Sequence, residues 1–136
     1  MSKRISMQEQ ARIVRKRQVL DAALRQAQRG ASVEQITTTL RSLAVLENAA
    51  GHRHTAANIL ERMGEAYLKA GNVAKAMDAY KSAGLLYLKA VPRIAGNLST
   101  KSKARTARKR ILQNAISAFT IAQEPRLMQR AQRMAR

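Results

Sequence analysis

Residues 55–92, TAANILERMGEAYLKAGNVAKAMDAYKSAGLLYLKAVP, decide the fold. They divide at two stop signals. A helix over about 55–70 ends at Gly71, and Asn72 is placed to cap the next one, which runs through Met77, Tyr80 and Leu88 to a stop at Pro92. The apolar residues are chiefly Ala, Leu and Met, and the whole chain shares that bias. Hydrophobic residues make up 46% of it and aromatics only 3%, with no Trp. A core drawn from Ala, Leu, Ile, Val and Met favours helices, whereas strands want more aromatic and β-branched side chains.

Upstream, residues 5–29 read as one long helix. Ile13, Leu20, Leu24 and Ala27 fall within about 60° of one another at about 100° per residue, and Arg4, Arg15, Arg25 and Arg29 fall on the opposite side. Gly30 ends this helix as a residue past its C-terminus. Ser32 with Gln35 forms a capping box that starts a second helix through Ile36, Leu40, Leu43 and Leu46, ending at Gly51. Downstream, 93–100 reads as a loop containing Gly96, Asn97 and Ser99. A fifth helix over about 100–123 closes at Glu124-Pro125, and a short Arg-bearing segment follows. No strand signal competes, so the expectation is an all-α chain: a small antiparallel bundle of about five helices. It divides into a basic amphipathic N-terminal helix (1–30), a helical core (31–98) and a basic C-terminal helix and tail (99–136).

The chain of 136 residues carries 26 Lys plus Arg against 8 Asp plus Glu, a formal net charge of +18. Solubility needs far less, so a polyanionic partner is indicated. The excess is uneven. Residues 1–30 hold eight basic and two acidic side chains, 31–50 one and two, 51–90 six and three, and 91–136 eleven and one. A nearly neutral helical body therefore stands between two basic flanks. Arg outnumbers Lys, 17 to 9. Planar guanidinium groups match phosphates bidentately and stack on bases, which suits nucleic acid, structured RNA in particular, without excluding duplex DNA.

Within residues 57–90, Leu60, Met63, Gly64, Tyr67, Gly71, Ala76, Tyr80 and Ala83 stand where a tetratricopeptide repeat places its characteristic large, small and aromatic positions, and the segment resembles one such helical hairpin. The repeat's usual terminal Pro would fall at Leu88, and no second complete copy lies a repeat length away. A shorter echo pairs Gly64-Glu65-Ala66-Tyr67-Leu68-Lys69-Ala70 with Gly84-Leu85-Leu86-Tyr87-Leu88-Lys89-Ala90, at a spacing that aligns neighbouring helices. Residues 57–123 are also similar to the three-helix microtubule-interacting-and-transport domain. Either resemblance implies an adaptor whose groove, around Tyr67, Tyr80 and Tyr87, receives a partner helix or peptide. A single solenoid repeat implies a compact bundle that borrows the hairpin.

The second half of the fifth helix is amphipathic, with Ile111, Leu112, Ala115, Ile116, Ala118, Phe119 and Ala122 over one broad face. Its first half is not: Lys101, Lys103, Arg105, Arg108, Lys109 and Arg110 point nearly all round the axis, and Lys101, Arg105 and Arg108 continue the apolar stripe. A helix cationic on every side cannot pack there against a core, so it projects into solvent or among phosphates. Arg12, Arg15, Lys16 and Arg17, with Arg4, Arg25 and Arg29, make a second basic face, and Arg126, Arg130 and Arg133 recur at helical spacing.

Other chemistry has little support. With no Cys there is no thiolate site. His52 and His54 find no third metal ligand by spacing and read as an exposed turn, and Glu61 and Glu65 lack a paired base or nucleophile. No phosphate-binding glycine loop, aromatic RNA-binding signature or Cys/His finger occurs, and Thr37, Thr38, Thr39 and Arg41 make poor readers for a helix-turn-helix. No apolar run is long enough to span a membrane, and the N-terminus lacks a secretory signal. The expected protein is non-enzymatic, without cofactor or small-molecule substrate, and binds RNA or DNA through phosphates. It is expected inside the cell or in a ribosome-like, viral or phage particle, beside that particle's other proteins.

Overall fold

The computed structural model describes residues 7–27, 32–96 and 100–136, and among them the chain is all helical, a small bundle of six helices. They are α1 (Met7–Ala27), α2 (Val33–Ala49), α3 (Arg53–Lys69), α4 (Val73–Gly96), α5 (Lys101–Ile121) and α6 (Pro125–Ala135). Every extensive helix–helix contact joins consecutive elements, from α1 on α2 through to α5 on α6.

The helix boundaries follow their capping chemistry. Ser32 accepts a hydrogen bond from the Gln35 amide at 3.3 Å, Asn72 from the Lys75 amide at 3.3 Å and Thr100 from the Lys103 amide at 3.1 Å. Each satisfies one orphan donor of a first turn. Gly51 (φ 85°) and Gly71 (φ 79°) end α2 and α3 in left-handed conformation. The next amides reach back, His52 N–H to the Glu47 carbonyl at 2.8 Å and Asn72 N–H to the Tyr67 carbonyl at 2.9 Å, which closes both helix ends.

Two boundaries differ from the sequence expectation. Pro92 does not stop α4, which continues through it to Gly96. Proline removes one helical hydrogen bond and crowds the carbonyl four residues back. Here Leu88 and Val91, on the turn before it, are buried against Ile111 and Leu112 of α5, and this burial holds the backbone helical across the proline. The expected loop over 93–100 is thus helical as far as Gly96, and residues 97–99 lie outside the described set, as does the Gly30 stop. The tail after Pro125 is also a helix in its own right, making six where about five were expected. Proline stands at its first position, where its fixed φ suits a helix and its missing N–H has no intrahelical role.

The core has two main clusters, one where α2, α3 and α4 meet and one where α3, α4, α5 and α6 meet. Two glycines decide how closely. A methyl group at Gly64 of α3 would sit 2.5 Å from the Tyr80 ring of α4, and one at Gly84 of α4 would sit 2.5 Å from the Phe119 ring of α5. The internal echo has a structural meaning here: each glycine receives an aromatic ring from the following helix, and the tyrosine three residues later, Tyr67 or Tyr87, is buried. Ala76 and Ala83, wholly buried, keep the same helices close.

Candidate nucleic-acid interface

α6 folds back along α5. Leu127, Met128, Met134 and Ala135 pack with the buried Ala131 against the cluster that holds Ile111, Leu112, Ala115 and Phe119. Two polar contacts fix the register. Near one end, the Thr120 hydroxyl, which donates to the Ile116 carbonyl at 2.7 Å, lies 3.3 Å from the Met128 sulfur. Near the other, the Arg108 guanidinium donates to the Met134 carbonyl at 2.9 Å. A cation on the last carbonyls of a helix satisfies an orphan acceptor and complements the negative end of the helix dipole.

This geometry joins two basic segments that are separate in sequence. The cationic half of α5 does not stand away from the body: its Arg108 clamps the end of α6, while Ala104 and Ala107 are half-buried. Lys101, Lys103, Arg105, Arg108, Lys109 and Arg110 are all exposed. On α6, Arg126, Arg130 and Arg133 are exposed and share one stripe opposite the packed face, about 10 Å long at about 1.5 Å per residue. Apart from Arg108, none of these side chains has a protein partner among the described residues. Glu124, the one acidic residue of segment 91–136, pairs instead with Lys81 at 3.4 Å. The first turn of α5 holds Lys101 and Lys103 and no acid, so their charge adds to the positive end of the helix dipole.

The second basic face is less complete. Arg12, Arg15 and Arg25 of α1 are exposed, and Met7, Val14 and Val19 are exposed among them. Arg4 and Arg29 lie outside the described residues, as do the side chains of Lys16 and Arg17 and of the expected apolar stripe Ile13, Leu20, Leu24 and Ala27. The extensive contacts of α1 are with α2 alone, so the two basic faces stand at opposite ends of the helical order.

The three tyrosines of the alternative groove are not brought together. Tyr67, Tyr80 and Tyr87 are 7%, 5% and 0% exposed and belong to three different core clusters. The Tyr87 hydroxyl donates to Asn58, and its pKa is raised by burial and then by neighbouring Glu61. Glu61 is itself raised by burial and by Glu65, while the nearby Tyr87 hydroxyl works the other way. Tyr80 is raised by burial and by the same two carboxylates.

Tyr67 borders a cavity of about 320 Å³, with Arg41, Leu60, Met63, Lys75 and Asp78 among its walls. Arg41 donates to the Tyr67 hydroxyl at 3.3 Å, and the Lys75 ammonium lies 5.8 Å from the ring centre. No local pattern marks Arg41 and Lys75, because Arg41 meets Tyr67 across 26 positions of chain.

His52 turns to Glu47, its Nδ1 being 2.7 Å from a carboxylate oxygen of that wholly buried residue. His54 instead sets its ring edge-on to Tyr87 at 5.5 Å, and burial lowers its pKa. The two histidines therefore serve the packing of α2, α3 and α4. Among the described residues no helix is long and apolar enough to cross a membrane. No protein-family model, curated protein or solved structure matches the chain.

Proposed function

We propose that the protein is a non-enzymatic structural or assembly component that binds nucleic acid through its phosphates, with the α5–α6 surface as the principal grip and α1 as a second. The carrying observation is the set of eight exposed cations on two packed helices, Lys101, Lys103, Arg105, Lys109, Arg110, Arg126, Arg130 and Arg133, that have no partner among the described residues. Charge left unneutralised at this density repels itself and weakens the fold, and phosphates relieve that repulsion. Binding releases condensed counterions and is driven by their entropy. A ribosome-like, viral or phage nucleoprotein particle is the setting that this chemistry suits.

The test is fluorescence anisotropy with labelled RNA and DNA over a series of salt concentrations. Log affinity should fall linearly with log salt, and replacing Lys103, Arg110, Arg130 and Arg133 together by Gln should flatten the slope by about 3–4 on a duplex, near 0.9 for each phosphate no longer neutralised. Absence of binding to either nucleic acid at low salt, or an unchanged slope, would sink the assignment. Arg108 is left out of the variant because it holds α6.

A second reading, the tetratricopeptide-like adaptor that receives a partner peptide, is favoured by the cavity beside Tyr67, with Arg41 and Lys75 at its rim. Pulldown before and after nuclease treatment separates the two. Partners that vanish with nuclease support the phosphate grip, and partners that survive support the adaptor.

A further inference from the structure

We infer that the nucleic acid taken by the α5–α6 surface is a double helix held by its backbone, and not an unstacked single strand. The inference rests on the phosphate-binding reading and narrows it to a class of ligand.

Proteins that hold single strands combine cations with aromatic side chains on which splayed bases stack. This chain has three Tyr, one Phe and no Trp. All four rings are in the core: Tyr67 is 7% exposed, Tyr80 5%, and Tyr87 and Phe119 0%. None is free to turn outward. Tyr80 fills the space over Gly64 and Phe119 the space over Gly84. The Tyr87 hydroxyl is bonded to Asn58, and that of Tyr67 accepts from Arg41. Bringing Tyr80, Tyr87 or Phe119 to the surface would open the packing of α3, α4 and α5, and bringing out Tyr67 would open the cluster that holds Leu40, Leu43 and Met63. The exposed imidazole of His52 is held by Glu47. The basic surface thus offers a base no aromatic platform, only the edges and planes of mobile guanidinium groups, and offers phosphates many cations.

The form of the surface agrees. Arg126, Arg130 and Arg133 stand on the outer face of a short helix pinned to α5 near both ends, by the Thr120–Met128 and Arg108–Met134 contacts. A fixed row of guanidinium groups suits a fixed row of phosphates. A duplex presents one charge per about 1.7 Å of axis against about 3.4 Å for one strand, so each cation displaces more condensed counterion there.

The experiment uses the full chain and four probes of equal length, about two helical turns: duplex DNA, duplex RNA, oligo-dT and oligo-U. At moderate salt both duplexes should bind about 10-fold or more tightly than the single strands. A duplex probe carrying 2-aminopurine should show no rise in fluorescence on binding, since its bases stay stacked. Binding of only one duplex supports the inference and identifies the helix form. Equal or tighter binding of oligo-dT or oligo-U, or a rise in 2-aminopurine signal, overturns it while leaving phosphate binding intact. Failure to bind any probe overturns the phosphate-binding reading beneath it.

Discussion

α5 is one continuous helix with two unlike halves. From Ile111 onward it buries Ile111, Leu112, Ala115, Ala118 and Phe119 against its neighbours, whereas over 101–110 every cation is exposed. Backbone propensity does not separate them, because Lys, Arg and Ala are all good helix formers. What changes is the residue on the stripe that faces the bundle. Leu112 and Phe119 fill it in one half, and in the other it holds only half-buried Ala104 and Ala107, flanked by exposed Lys101, Arg105 and Arg108. Most of the burial lies in the Ile111–Ile121 half; the 101–110 half packs only through half-buried Ala104 and Ala107 and the Arg108 clamp on α6, and its other cations have no protein partner among the described residues.

If that division is right, the largest effects on folding belong to the packed half. Phe119→Ala should cost about 3–5 kcal/mol, as for other large buried rings, and Gly84→Ala about 1–3 kcal/mol, because its methyl would press on that ring. The two sites should also couple. In a Phe119→Leu background Gly84→Ala should lose much of its penalty, giving a non-additivity of about 1 kcal/mol in denaturant unfolding. Strict additivity would mean that the ring does not set the helix spacing.

The packed half was largely legible in sequence. The Gly64/Gly84 echo, the caps at Ser32 and Asn72 and the stops at Gly51 and Gly71 are local signals, and local hydrogen bonds or close approaches realise them. Pro92 misled because its local veto on a helix is overridden by burial of Leu88 and Val91, a contact with residues some twenty positions away. The basic half was legible as charge but not as a place. Nothing in the spacing of 101–110 tells that Arg108 will reach the Met134 carbonyl, 26 residues on. Nor does an aromatic pattern at helical spacing distinguish three tyrosines lining one groove from three buried in separate clusters.

Arg108 is the exception inside the basic half, and it tests how sharp the boundary is. Arg108→Ala removes one hydrogen bond and one favourable dipole contact at the end of α6, so it should destabilise the protein by about 0.5–1.5 kcal/mol. Hydrogen exchange should quicken first in the amides of α6. The quadruple Gln variant that flattens the salt slope should, by contrast, cause no destabilisation, because it breaks no contact and relieves mutual repulsion among exposed cations. Equal destabilisation by the two variants would erase the distinction between a clamp and free cations.

The smallest effect expected lies on α3, where charge is held against burial. Burial raises the Glu61 carboxyl above its ordinary value of 4.5, with Glu65 adding to the shift. A raised carboxyl binds its proton more tightly in the folded chain than in the unfolded one. The stability it contributes is therefore full below the unfolded pKa and is lost as pH rises through the folded value. At neutral pH ionised Glu61 is a deficit, and Glu61→Gln should stabilise the protein there. The gain should be only a few tenths of a kcal/mol, since the group is half-exposed and screened, and it should shrink towards zero near pH 4. Paired unfolding curves of the two proteins at both pH values measure the difference directly. A gain that persists undiminished in acid would assign it to packing of the amide and not to relief of a buried charge.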